Sequence, residues 1–468
     1  MNHPRGTTYR PWNPEAYRQQ AHSPGGKLPE DDLVFFLLDL VPHLDLSAIA
    51  APYEDERRGA PPFDPAMMTC LLLYAYCVGV YSSRKIARAC ERNLAFLAIV
   101  GDDRPDFRTI SDFRKLHLKA LAQLFTQVLR LAREAGLVQL GALATDGTKV
   151  AGNASRHKAM SYGYLSKEVE RLRAEIEALL QRAQDEDAAE DAVLGSRRGD
   201  ELPAELQRRE DRLATILAAK QRLEEQARVE AEAERQRRAA AEAERQRTGQ
   251  QRRGREPKPV ADTPDDKAQT NFTDPDLKIM KTNNKGWAYC GNAQVVVDDV
   301  CQIIVACEVT AASNDKEQAV PLAEAALANL AEAGIARPSD AAGQPRPLPN
   351  LTDSGYYSER AAQGLAALGL DPYMATERQR HHAAAVAAAA APTAKEAMAL
   401  KLRTAAGRAL YALRKVIVEP VFGQIKGARG FRRFLLRGLE KIRGEWCLVC
   451  LTHNLLKLWR YGYAPLRN

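Results

Sequence analysis

Two apolar stretches joined by a pair of aspartates constrain this chain most. Tyr289-Cys290-Gly291-Asn292-Ala293-Gln294-Val295-Val296-Val297-Asp298 reads as a strand. Cys301-Gln302-Ile303-Ile304-Val305-Ala306-Cys307-Glu308-Val309 reads as its hairpin partner, with the turn at Asp298-Asp299. Short strands flank this hairpin in sequence. Ala142–Thr145 is an apolar strand ending in Asp146-Gly147-Thr148, and Asn350-Leu351-Thr352-Asp353 again ends in an acid, followed by Gly355. Ala319–Ala333 and Ser358–Leu368 read as helices and Pro372–Ala375 as a further strand. From Ala397 the pattern is helical to the end, apart from a turn at Gly427–Gly430. The order predicts a mixed α/β sheet with acids at the ends of two strands and an acid, Glu419, on a later helix.

Before the first strand the chain is helical. Residues 1–30 are rich in Pro, Gly and polar groups and are expected to lack order. Leu33–Leu40 is densely apolar, and Asp64-Pro65 reads as an N-cap and first helical residue. In Tyr81–Cys90, Ser82 or Ser83 caps a short helix that turns Ile86, Ala89 and Cys90 inward and Arg84, Lys85 and Arg88 outward. Short helices with small turns and basic outer faces fit a helix-turn-helix domain over 31–136, and equally a plain helical bundle. Leu118–Ala135 is a further amphipathic helix closed by Gly136.

Residues 161–269 interrupt the strand pattern. Leu165, Val169, Leu172, Ile176 and Leu179 follow a 4-3-4-3 spacing, a coiled-coil seam. Ala231–Arg237 recurs at Ala241–Arg247, charged all round. This is read as an inserted helical hairpin or coiled coil followed by a disordered basic linker, Gln250–Lys258. The divided strand region, 137–160 and 270–468, then forms the second domain. Ala383–Ala391 is an alanine-rich, low-complexity excursion.

Charge is unevenly placed. The chain carries +7, but Lys401 to the end holds fifteen Lys/Arg against Glu419, Glu440 and Glu445, a net of +12 that leaves the remainder at about −5. A basic block on a near-neutral body points to a polyanion, nucleic acid first. Eight cysteines scattered through apolar contexts read as reduced, cytosolic thiols. Cys447-x-x-Cys450-x-x-His453 sits in an apolar helix without a second matching ligand pair and reads as core. No uninterrupted apolar run reaches the ~18 residues of a membrane span.

Asp146, Asp353 and Glu419 are hard oxygen donors of the kind Mg²⁺ or Mn²⁺ prefers, and two such ions can clamp an in-line displacement at phosphorus. Lys426 lies two helical turns after Glu419 and could meet a phosphate beside them. Pro420 disfavours helical geometry at the residue before it, so Glu419 is expected at a helix start or kink. Asp298 and Asp315 are the substitutes should one of the three acids be wrong.

Thr145-Asp146-Gly147-Thr148, Asn271-Phe272-Thr273-Asp274-Pro275-Asp276, Thr352-Asp353-Ser354-Gly355-Tyr356 and Val418-Glu419-Pro420-Val421-Phe422-Gly423 together resemble bacterial insertion-sequence transposases of the DDE class. One branch of that family carries a Tyr-x2-Arg-x3-Glu-x6-Lys signature. Glu419-x6-Lys426 matches it; Tyr411 and Arg414 keep their mutual spacing, but four residues separate Arg414 from Glu419, and Lys415 occupies the arginine position. The resemblance implies an RNase H-like sheet flanked by helices, with two Mg²⁺ (or Mn²⁺) held by Asp146, Asp353 and Glu419. It implies cleavage of double-stranded DNA at terminal inverted repeats and strand transfer into target DNA. It also implies a homodimer, a cytoplasmic, nucleoid-associated location, and DNA contacts from Lys426, Lys415, Arg414, Tyr411, Arg432, Arg433, Arg84, Lys85 and Arg88. A nuclease of the same core without strand joining, and a non-catalytic DNA-binding coiled-coil protein, are the alternatives.

Overall fold

The computed structural model describes residues 24–54, 62–155, 158–194, 204–249, 256–282, 286–339, 343–377 and 393–462. The expectations for residues 1–23, for the 250–255 part of the basic linker and for Ala383–Ala391 lie outside the described residues.

Among the described residues seven α-helices precede the sheet: α1 Leu33–Leu40, α2 Ser47–Glu54, α3 Pro65–Cys77, α4 Ser83–Arg92, α5 Leu94–Val100, α6 Phe107–Leu116 and α7 Leu118–Glu134. Local chemistry sets their starts. Asp64 accepts from the Ala66 and Met67 amides ahead of Pro65, and Asn93 and Asp106 cap α5 and α6 in the same way. Gly136, with φ of 70°, follows α7.

The sheet is built from β1 Leu143–Ala151, β4 Lys278–Lys281, β5 Trp287–Asp298, β6 Ile304–Thr310, β7 Leu348–Thr352 and β8 Leu370–Met374. β5 runs antiparallel to β1, in register from Leu143↔Asp298 to Ala151↔Cys290. β6 pairs antiparallel with the far half of β5, and β4 with its first residues. On the other side β7 is parallel to β1 and β8 parallel to β7. Across the sheet the main strands therefore lie in the order β6-β5-β1-β7-β8. This is the mixed RNase H-like arrangement that the resemblance implies.

One sequence expectation changes here. Asp146 does not end its strand; β1 runs on for five residues, to Ala151. Gly147 allows this, because a Cβ there would stand 2.5 Å from the Gln294 amide on the partner strand.

The inserted segment leaves the sheet through β2 Ala159–Ser161 and returns through β3 Gln269–Asn271, which pair antiparallel. Between them stand α8 Tyr162–Leu194 and α9 Ala204–Thr248. Leu165, Val169 and Leu172 pack with Ile216 and Leu223 as a small core separate from the main one. Ion pairs from Glu168 to Arg171 and Arg212, and from Glu175 to Arg209, flank it.

Helices α10 Ala319–Glu332 and α11 Glu359–Ala367 cover one part of the sheet; α12 Ala394–Arg403, α13 Ala405–Gly423 and α14 Leu439–Tyr461 complete the chain. The N-terminal helices and the sheet share one hydrophobic core, with Trp446, Tyr76 and Phe434 among its fully buried side chains. Polar contacts bind the two parts as well. Arg114, itself buried, donates to the Tyr76 hydroxyl and the Tyr81 carbonyl, and Tyr76 donates to Glu445 on α14. Burial pushes the Glu445 carboxyl up, against the pull of Arg114 and of the Leu435 and Leu436 amides that donate to it. Cys447 donates to the Ala122 carbonyl, and His453 meets the Gln302 carbonyl through Nε2; burial drives the His453 pKa down to about 3, so the ring is neutral. No single helix among the described residues is long and apolar enough to cross a membrane.

Glu419 also departs from expectation. It sits inside α13, not at a helix start, and Pro420 lies within the same helix. Proline removes the N–H that would bond the carbonyl four residues back, at Val416. Gln302 supplies the missing donor: its Nε2 reaches the Val416 carbonyl at 2.9 Å. The Gln302 Oε1 accepts from Lys457 on α14 at 2.8 Å. One loop residue, at a φ of 59°, therefore holds both C-terminal helices. Gln302→Ala is expected to lower the unfolding free energy by about 0.5–1.5 kcal/mol, chiefly through the partner it removes from buried Lys457, since the Val416 carbonyl is exposed and can turn to water. Chemical denaturation monitored by circular dichroism checks this.

Candidate active site

Asp146 and Asp353 arrive by strand pairing. Thr145 and Thr352 are register partners across β1 and β7, and each acid is the next residue. Neighbouring strands lie about 4.8 Å apart, so two carboxylates from opposite parts of the chain are forced together. Asp353 turns back on its own loop, accepting from the Gly355 amide at 2.8 Å. A Cβ on Gly355 would stand 3.0 Å from the Asp353 carboxylate and 3.4 Å from that of Asp315, which is why this loop takes glycine.

Helix α13 lies over these strands. Tyr411 donates to the Thr352 carbonyl at 3.2 Å. Arg414, three residues on and so on the same face, reaches Asp146 at 3.0 Å. Its other terminal nitrogen stands 3.9 Å from Glu419, and the field of Asp353 also acts on it. One guanidinium thus serves three acids. It does not fully compensate them: burial pushes the Asp146 carboxyl up to about 6, with Asp353 adding to the rise and with Arg414 and the Gly147 amide opposing it.

Glu419 stands apart from the two aspartates. Its side chain is 57% exposed, against 19% for Asp146. Helix phase explains this. Four residues separate it from Arg414, so it lies about 140° round the helix from that residue at 100° per step. The position that shares the Arg414 face is Val418, and it is fully buried.

Lys426 follows in a π-helical turn, Gln424–Ala428, a geometry often found at functional sites. Its Nζ donates to Thr148 Oγ1 at 2.5 Å and to the Lys149 carbonyl at 2.8 Å. This pins the ammonium on β1 two residues beyond Asp146. Beyond the turn, Arg432 and Arg433 are exposed, and Arg433 pairs in parallel with Ala151. Lys415 is exposed on α13. Arg84, Lys85 and Arg88 project outward from α4, with Arg84 over the Phe107 ring at 4.3 Å; these three lie on the N-terminal helices and not around Arg414.

A network on the opposite face of β1 was only partly visible in the sequence. Asp315 Oδ1 accepts from Asn292 at 2.6 Å and from Gln294 at 2.7 Å, with Lys149 at 3.9 Å. Tyr356, fully buried, donates to Gln294. Asp315 therefore stands close to Asp353 as a fourth acid. Asp298, the other named substitute, does not: it pairs with Leu143, three residues from Asp146 on β1, and its carboxylate accepts from the Leu140 amide at 2.9 Å.

Residues 23–116 match the family described as Transposase domain (DUF772), and residues 375–459 match the family described as Transposase DDE domain. The second match spans Tyr411, Arg414, Glu419 and Lys426, the residues that α13 and the π-turn after it carry past β7 and β1. The chain carries two transposase domains, the second of the DDE class. No curated protein and no solved structure matches the chain. The transposase is thus a DNA-acting enzyme of the polynucleotidyl transferase or nuclease kind, and its DDE domain depends on divalent metal.

The donor type suits such an ion: Asp146, Asp353 and Glu419 are hard oxygen ligands. Three hard carboxylates surround one guanidinium, and the raised Asp146 carboxyl shows a buried charge that Arg414 leaves under-compensated. Among the described residues no three acids, histidines or cysteines stand grouped closely enough for a single ion; Glu419 is the acid that the helix phase turns outward. In transposase kept metal-free with chelator, Arg414→Met is expected to lift the Asp146 carboxyl further above about 6, because desolvation would then act without its main opponent. A ¹³C carboxyl titration reads this directly, and an unchanged midpoint would show that the guanidinium does not hold that charge.

Proposed function

We propose that this transposase cleaves double-stranded DNA at the terminal inverted repeats of its element and joins the freed ends to target DNA, using Asp146, Asp353 and Glu419. The observation that carries this reading is the juxtaposition of Asp146, within β1, and Asp353, just after β7, each next to the register partners Thr145 and Thr352, with α13 bringing Arg414 and Glu419, and the π-turn after it Lys426, to the same side of the sheet. The three acids would hold a pair of Mg²⁺ or Mn²⁺ ions. Bound there, such a pair supplies an activated oxygen nucleophile and charge stabilisation at phosphorus.

The protein's own groups have separable tasks. Asp146 and Asp353 are fixed by strand pairing and by the Gly147 and Gly355 amides, so they form the rigid half of the site. Glu419 rides on α13 and is the movable member. Lys426, anchored on Thr148 and the Lys149 carbonyl, presents a positive charge to a phosphate beside the acids. Tyr411 and Arg414 set the height of α13 over β7 and β1. Arg432, Arg433 and Lys415 extend the contact along the DNA backbone, and Arg84, Lys85 and Arg88 on α4 form a second DNA-contacting face. Joining two ends requires two catalytic centres in one complex, which favours a homodimer.

Asp146→Ala, Asp353→Ala and Glu419→Ala are each expected to lower cleavage of a duplex carrying the element's terminal sequence by at least about a hundredfold, in line with the loss of other charge-stabilising catalytic groups. DNA affinity should change little. Retained cleavage in any of the three counts against the acids chosen. A strand-joining assay separates transposition from simple hydrolysis: a labelled end covalently inserted into target plasmid supports the former, and cut but never joined ends support a nuclease.

A further inference from the structure

Beyond Lys426 the end of β1 opens onto a cavity of about 510 Å³. Its walls are the Ala151–Ser155 segment, the start of β5 at Ala288 and Tyr289, and the extended chain after the π-turn. Among the described residues three cations line it, Lys158, Arg433 and Arg437, and no carboxylate does. All three are exposed. They come from two distant parts of the sequence, so their meeting is a product of the fold.

Each part of the wall is fastened. The Phe434 amide donates to the Ala151 carbonyl at 2.8 Å and Asn153 Nδ2 to the Leu435 carbonyl at 3.0 Å. Arg437 Nε donates to the Asn153 carbonyl at 3.1 Å, which leaves its terminal nitrogens for a ligand. The Thr273 hydroxyl, also in the wall, is buried and has no hydrogen-bond partner among the described residues. Outside the lining, Asp274 feels the charge of Arg437, while its Oδ2 accepts from the Gly438 amide ahead of α14. The cavity is therefore a polar recess with an excess of positive charge in its lining and a spare hydroxyl, the chemistry of a phosphate site.

We propose that this cavity binds a backbone phosphate of the DNA on which the transposase acts, at a fixed distance from the cut. β1 gives that distance. Asp146, Thr148 beneath Lys426, and Ala151 beside Arg433 lie on one strand. Five residues at about 3.4 Å each put the cavity about 17 Å from the acids. A duplex advances about 3.4 Å per nucleotide of one strand, so the phosphate bound here lies within about five nucleotides of the cut. The placement relative to the cut rests on the reading of Asp146 as a catalytic acid; the binding of phosphate does not.

The test has two arms. The first measures affinity for a generic 40-base-pair duplex between 50 and 300 mM salt, for wild type and for Lys158→Gln/Arg433→Gln/Arg437→Gln. The slope of log affinity on log salt is expected to flatten by about 0.9 for each phosphate that the variant no longer neutralises. Lys158→Gln/Arg433→Gln, which spares the Arg437 bond to the Asn153 carbonyl, guards against misfolding and should flatten the slope by a smaller amount. An unchanged slope in folded protein overturns the proposal. The second arm places single methylphosphonates along a duplex carrying the element's terminal sequence, and along target DNA in a joining assay. One substitution within about five nucleotides of the cut should weaken binding by wild type and not by the triple variant, and whichever DNA shows it is the one the cavity holds. A difference between wild type and variant only at more distant positions overturns the placement. A flattened slope combined with normal cleavage by Asp146→Ala would retain the cavity as a phosphate site and remove Asp146 from the chemistry.

Discussion

A largely desolvated carboxylate in the middle of a strand, with one guanidinium to answer it, is the constraint on which the rest of this molecule turns. Asp146 cannot move, because its backbone is tied on both sides, to β5 through the full length of β1 and to β7 through Thr145. Removing an ion from water is costly unless a partner compensates. Arg414 compensates in part and in doing so fixes α13 over the sheet. The same pairing decides where every later residue of α13 falls, Glu419 included, and where the π-turn that carries Lys426 begins.

That dependence makes helix continuity a functional matter. Pro420 would ordinarily break or kink α13 just past Glu419. Gln302 donates to the stranded Val416 carbonyl and the helix continues. The side chain that repairs α13 also accepts from Lys457, so α13 and α14 are set against one loop between β5 and β6. Between the helices, Glu445 receives the Leu435 and Leu436 amides and is tied through Tyr76 to Arg114 of the N-terminal bundle. The basic segment Arg432–Arg437 is thereby carried on a rigid mount that reaches from the first helices to the last.

Much of this was legible in the sequence, and the exceptions share a cause. The hairpin Tyr289–Val309, the strand before Asp353, the capped helix after Ser358 and the insertion returning near residue 270 follow from period-2 runs, caps and turn residues, which are local signals. The pairing of Asp146 with Asp353 was reachable because each acid sits at the same place in its strand pattern. What escaped is non-local. The length of β1 beyond Asp146 depends on the Gln294 side chain needing the space over Gly147. The helix runs through Pro420, and the carbonyl this frees at Val416 is met by a glutamine far earlier in the chain, Gln302. Lys158 gave no sign of lying beside Arg433 and Arg437, since only the β2–β3 neck and the pairing of Ala151 with Arg433 bring those segments together.

The one-residue excess between Arg414 and Glu419 has a consequence that spacing alone does not reveal. With Arg414 anchored on Asp146, a helix at about 100° per residue must present Val418 to the aspartates and Glu419 beyond them. Val418 is fully buried, so it packs the helix in this phase and opposes its rotation. Bringing Glu419 inward therefore means either releasing Arg414 from Asp146 or a local change of winding. The π-turn that begins one residue after α13 already shows that this part of the chain tolerates such winding. Both routes would be favoured by a cation able to replace the guanidinium among the acids. On the proposed reading of the three acids, Arg414 and a divalent ion would compete for the same charges, and the position of Glu419 would follow from which of them prevails.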